Sequence, residues 1–109
     1  MTLDARNFSI TLVTTPDIAV ARKIAQTLLE AHLVACVNLI PKIESHYWWE
    51  GKLEQSEEVL LILKSTSSHA EEVKLVVRSI HPFTTPEIVT FALDDGCESY
   101  LRWISESVT

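Results

Sequence analysis

His81 stands at the end of an apolar helical stripe and at the head of a connector stiffened by Pro82 and Pro86, with Glu87 six residues on. An imidazole and a carboxylate held in a fixed frame are a ligand pair that Cu(II) or Zn(II) accepts. His81 and Glu87 are therefore the metal-binding candidates. The competing reading of His81 is a hydrogen-bonded corner, since divalent affinity normally needs three or more protein groups. Tyr47, Trp48 and Trp49 are consecutive, so on a strand their rings point to both faces and at least one must meet a partner. With Lys52 and Lys64 as positive charges nearby, they could line a ligand cleft between subunits; the favoured reading is that they anchor the subunit interface, and both hold if clefts lie where hairpins cross.

The two thiols read differently. Cys36 sits in an apolar strand, where it is expected to behave as a small buried hydrophobe. Cys97 follows Asp95-Gly96 at a helix start and is expected to be exposed and the more reactive. Glu54, Glu57, Glu58, Glu71 and Glu72 could attract cations loosely but read first as solvated faces, and His32, His46 and His69 show no chelating spacing. No nucleophile elbow, metalloprotease helix or lysine motif accompanies these groups, so the residues describe a binding protein and not an enzyme.

The elements that must position them follow from periodicity. Phe8 to Thr14 alternates as a strand. Thr15-Pro16-Asp17 reads as a helix start with Thr15 as N-cap, and Ile18, Ala21, Ile24, Ala25 and Leu28 make one apolar stripe ending near His32. A strand runs from Leu33 to Ile40, is interrupted by Pro41, and resumes from Ile43 to Trp49. It turns at Glu50-Gly51 and returns through Lys52 to Lys64. Ser68 and Glu71 fit a capping box for a second helix carrying Val73, Val76, Val77 and Ile80. After the connector, Glu87 to Leu93 is a strand and Glu98 to Val108 a tail helix. The order is β-α-β-β-α-β plus a helix, which predicts an α+β, ferredoxin-like two-layer sandwich over a single domain spanning 1–109.

Two features predict a homo-oligomer with its sheets packed inward. Val59 to Leu63 is apolar on both faces and Ile88 to Leu93 nearly so, whereas a two-layer sheet should expose one polar face. Residues 34–50 would extend roughly 55 Å, against a radius of gyration near 13 Å for a domain this size. Either Pro41 bends that strand or its outer half leaves the body and pairs with a neighbour.

Composition narrows the partners. Nine Lys and Arg against fifteen Asp and Glu give a net charge of −6, which argues against nucleic acid. Two glycines in 109 residues exclude Gly-rich phosphate loops. The longest apolar run falls far short of the roughly 20 residues that span a bilayer, and Met1 to Asn7 lacks the features of a signal peptide, so a cytoplasmic location without membrane attachment is expected.

Thr15-Pro16-Asp17, Ala35-Cys36-Val37-Asn38-Leu39-Ile40-Pro41, Ser45-His46-Tyr47-Trp48-Trp49-Glu50-Gly51-Lys52 and His81-Pro82-Phe83-Thr84-Thr85-Pro86-Glu87-Ile88 stand in this order. Together they resemble the CutA family of divalent-cation tolerance proteins. The resemblance implies a ferredoxin-like subunit, a cytoplasmic homotrimer similar in architecture to PII signalling proteins, and an association with copper and other divalent cations, weakly bound and none obligatory. Family members with a copper-site pattern carry a Cys on the first strand and a His-His pair before the proline; here those positions are Val13 and Ile80-His81. The alternative implied is a PII-like regulatory or scaffolding trimer, holding a small ligand or partner protein in intersubunit clefts.

Overall fold

Phe8–Thr15 forms β1, and the alternation expected of it is realised: Ser9, Thr11, Val13 and Thr15 are buried while Ile10, Leu12 and Thr14 are partly exposed. This is seen in a computed structural model, which describes residues 3–109. Helix α1 (Ile18–Glu30), strands β2 (Cys36–Trp49) and β3 (Lys52–Thr66), helix α2 (Ala70–Ile80), strand β4 (Ile88–Ala92) and helix α3 (Glu98–Ser107) follow. All neighbouring strands are antiparallel and the sheet order is β2-β3-β1-β4. That is the α+β, ferredoxin-like arrangement with a terminal helix that the element order predicts. Among the described residues, no helix is long and apolar enough to cross a membrane.

Helices α1 and α2 cover one face of the sheet. Ala21, Ile24 and Leu28 of α1 and Val73 and Val77 of α2 pack on Val13, Val59, Leu61 and Leu63. Ile24, Leu28 and Leu61 are fully buried, each worth about 1.5–3 kcal/mol of transfer free energy. Helix α3 closes a smaller cluster, Leu101 and Ile104 against Phe8. The opposite face carries Ile10, Leu12, Leu60 and Ile62, with Val89 and Phe91 each 49% exposed. The apolar second face expected from the sequence is present; α3 covers its end at Phe8 and Lys64, and the stretch from Leu12 and Leu60 to Val89 and Phe91 stays open within the chain.

The long strand is irregular at Pro41 and its outer half projects from the body. Strand β2 runs through Pro41, which an edge strand tolerates because its missing N–H leaves no ladder bond unmade. Ile40 pairs with Leu60 but Ile43 with Glu58, so β2 spends one extra residue there, and Lys42 takes a φ of 60°. This is a β-bulge, and it shifts the side-chain alternation of everything beyond it. The outer half of the hairpin then leaves the body as an arm. The molecule measures 51 × 26 × 22 Å with a radius of gyration of 14.7 Å. The arm closes at Glu50 and Gly51, with φ 51° and 78°, the two positive values of a type I′ turn.

Several local expectations are corrected. The N-cap of α1 is Asp17, whose carboxylate accepts from the Val20 N–H at 2.9 Å, and not Thr15, whose hydroxyl donates to the Asp17 carbonyl. The Ser68–Glu71 capping box does not form. Ser67–His69 is a 3-10 turn, and the Ser68 hydroxyl lies near Thr66 Oγ1 and His69 Nδ1, leaving α2 to begin at Ala70 without a side-chain cap. Cys36 is half-buried on the uncovered face, paired with Lys64 across the ladder, and is no core residue.

Candidate functional site

The connector from His81 to Glu87 is fixed by His81 itself. The ring is 7% exposed; its Nε2–H donates to the Thr14 carbonyl at 2.7 Å, and its Nδ1 accepts from the Phe83 N–H at 3.2 Å. The backbone partners set the tautomer: the carbonyl only accepts and the amide only donates, so Nε2 carries the proton. The Phe83 ring tilts against the imidazole at 5.0 Å between centroids. One histidine thus ties the end of β1 to the start of the connector.

Beyond this corner lies a cleft of about 750 Å³. Thr14 of β1 and Ser45, Tyr47, Trp49 and Glu58 of the hairpin arm line one side; Pro82, Phe83, Thr84, Thr85 and Glu87 of the connector line the other. His46 also reaches its wall, with Nε2 held 2.6 Å from Glu44 Oε2. Tyr47 is anchored by a 3.1 Å hydrogen bond between its hydroxyl and Ser56 Oγ. The bulge at Pro41–Lys42 decides which residues face the cleft. Without the extra residue, His46 and Trp48 would take the positions of Tyr47 and Trp49.

The expected residues are distributed as follows. Glu87 lines the cleft, whereas His81 stands behind it. As the chain folds, His81 offers a metal no free lone pair, because both ring nitrogens are used in hydrogen bonds. Val13, where the resemblance implies a Cys in a copper-site pattern, is fully buried in the core. Among the described residues, no group of three or more His, Cys, Asp and Glu side chains converges as a metal cage. A tightly held resident metal therefore does not fit a single chain.

Tyr47 and Trp49 line the cleft, while Trp48 is 70% exposed and lies on the other face of the arm. Lys52 and Lys64 do not line it within one chain. Lys52 pairs with Trp49 at the tip of the arm, and Lys64 lies at the far end of β3, roughly 40 Å away along the strand. There its ammonium sits 5.8 Å over the Tyr100 ring. Glu58, expected only as part of a solvated acidic run, and Phe83, not expected as a site residue, both line the cleft. Glu58 was hidden in an acidic run, and Phe83 in the connector motif.

Cys97 is exposed, as expected. The Ser99 hydroxyl at 3.3 Å, followed by the backbone N–H groups of Tyr100 and Ser99, holds its thiol below the ordinary range. Those amides are the free donors of the first turn of α3.

Comparison with known proteins places this geometry in a family. Residues 9–107 match the model of the CutA1 divalent ion tolerance protein family. The divalent-cation tolerance protein CutA of Pectobacterium atrosepticum is 41% identical over 99 residues, covering 91% of this chain and 90% of that protein. The structure of CutA1 from Oryza sativa superimposes with a TM-score of 0.92 at 32% identity, covering 98% of each chain. That of the periplasmic divalent cation tolerance protein CutA from Archaeoglobus fulgidus gives 0.90 at 39% identity, covering 94% of this chain and 99% of the other. The chain with the bulged hairpin arm and the His81 corner belongs to the CutA1 divalent ion tolerance protein family.

Proposed function

We propose that the chain works as a homotrimeric divalent-cation tolerance protein that binds its ligand without turning it over, in the cleft between the hairpin arm and the connector. Divalent ions such as Cu(II) are held there weakly, through the carboxylates of Glu87 and Glu58, with water completing the shell; His81 positions the connector that carries Glu87. The observation that carries this reading is the charge of the lining: two carboxylates and, among the described residues, no Lys or Arg. Trimer formation is supported by the uncovered face of Ile10, Leu12, Leu60, Ile62, Val89 and Phe91, too apolar to face water as a sheet surface. A cytoplasmic location suits the two free thiols, which a reducing compartment leaves unpaired.

A PII-like trimer holding a small anion would need positive charge at the site, and neither Lys52 nor Lys64 supplies it within one chain. Native mass spectrometry of the metal-free protein, then with one Cu(II) equivalent per subunit, tests the reading. The expected result is a trimer taking up cations, with uptake reduced in Glu87→Gln and kept in His81→Gln. A trimer that stays bare, or uptake lost in His81→Gln but kept in Glu87→Gln, overturns the assignment.

A further inference from the structure

Metal binding leaves most of the cleft unexplained. Its volume of about 750 Å³ lies within the range that holds organic ligands and is far larger than a hydrated ion needs. Three aromatic residues, Tyr47, Trp49 and Phe83, share the lining with the two carboxylates. Two of these rings have partners of their own within the chain. Tyr47 is held through its hydroxyl on Ser56; the Phe83 ring leans on the His81 imidazole, and its backbone N–H is tied to His81 Nδ1. His46, the one cationic-capable side chain on the wall, has its Nε2 on Glu44, so any charge it gained would be neutralised locally.

Aromatic faces attract cations that shed water easily. A small divalent ion does not give up its hydration shell for a ring face, whereas an alkylammonium group does. Carboxylates beside the rings supply the counter-charge. We infer that the cleft is a site for organic ammonium ions, quaternary or protonated alkylamines, with the cationic head among Tyr47, Trp49 and Phe83 and its charge balanced by Glu58 and Glu87. The inference rests on the reading of the cleft as a cation site and names a second class of ligand for it.

The test uses the full-length assembled protein with Trp48→Phe and Trp103→Phe, so that Trp49 is the remaining indole. Fluorescence is followed on titration with tetramethylammonium chloride, with sodium chloride at matched ionic strength and with neopentyl alcohol as an uncharged probe of similar shape. The expected result is a saturable change with tetramethylammonium and none with the other two. Glu58→Gln and Glu87→Gln should each weaken binding about two- to fivefold, as exposed charge pairs do. Phe83→Leu or Tyr47→Leu should weaken it by about 2- to 30-fold. A flat response to tetramethylammonium, which is also what a cleft filled by a neighbouring subunit would give, overturns the inference, as does equal binding of the neutral probe. If tetramethylammonium fails while Cu(II) uptake persists, the ammonium inference falls and the divalent-cation reading stands. If both fail, the cleft is not a cation site.

Discussion

Replacing His81 with alanine tests the corner that organises the cleft. The substitution removes two hydrogen bonds at once and leaves the Thr14 carbonyl and the Phe83 amide without partners. An orphaned buried backbone group costs about 1–3 kcal/mol, and the void left by the ring adds about 1 kcal/mol. The connector is open to water beyond the ring, with Phe83 46% exposed, so one orphan can be rehydrated. The expected loss is therefore about 2–4 kcal/mol. With a urea dependence of about 1–3 kcal/mol per molar, the midpoint should fall on the order of 1–2 M. Because the assembly adds to stability by mass action, wild type and variants must be unfolded at one fixed subunit concentration. Two conservative variants separate the bonds. His81→Asn places an acceptor near the Nδ1 position and can keep the Phe83 amide satisfied, while His81→Gln extends a donor toward the Thr14 carbonyl. Each should recover roughly half of the loss. If His81→Ala unfolds within about 0.5 kcal/mol of wild type, the imidazole is not the tie described here, and its nitrogens are free for other chemistry.

Further outcomes follow from the same geometry. Cys97 should be alkylated by iodoacetamide faster than Cys36 at neutral pH, read by peptide mass spectrometry. Because its pKa is lowered, the thiolate persists to a more acid pH than usual and the rate falls only as pH drops through that lowered value. Ser99→Ala removes the largest cause and should move the profile to higher pH. Gly51 has a φ of 78° and open space where a Cβ would stand, so Gly51→Ala should lose about 1 kcal/mol through backbone strain alone, with Gly51→Asn close to wild type in the same denaturation assay. A charge on the uncovered face, Ile62→Asp or Phe91→Asp, should break the assembly into smaller species in sedimentation, whereas Leu75→Asp, on an exposed position of α2, should not.

The order of elements could be read from the chain because each strand and helix carries its own period, and the cores of α1 and α2 fall where the apolar spacing puts them. Local competition explains the misses. Thr15 precedes Pro16, and the residue before a proline is held extended, so β1 runs on to Thr15 and the cap passes to Asp17. Ser68 is spent inside a 3-10 turn, which no capping pattern shows. Cys36 lies in a run that is apolar on both faces, where alternation cannot tell the covered side from the uncovered one. The cleft was the least legible part. Glu58 and Glu87 are brought to one place by sheet order and by a single bulge residue, and neither leaves a spacing in the sequence. The pairing of His81 with Thr14 and Phe83 shows the same limit: the residue stood out, but its partners were backbone groups that carry no sequence signal.

The claim that the acidic cleft receives the cation is tested most directly by crystals of the metal-free protein soaked in Cu(II), with an anomalous difference map recorded at the copper edge. The account predicts a peak in the cleft of each subunit, about 2.0–2.2 Å from carboxylate oxygens of Glu87 or Glu58, with His81 still bonded to Thr14 and Phe83. A cleft with no peak, or copper on His81 Nδ1 with the Phe83 amide displaced, would contradict it.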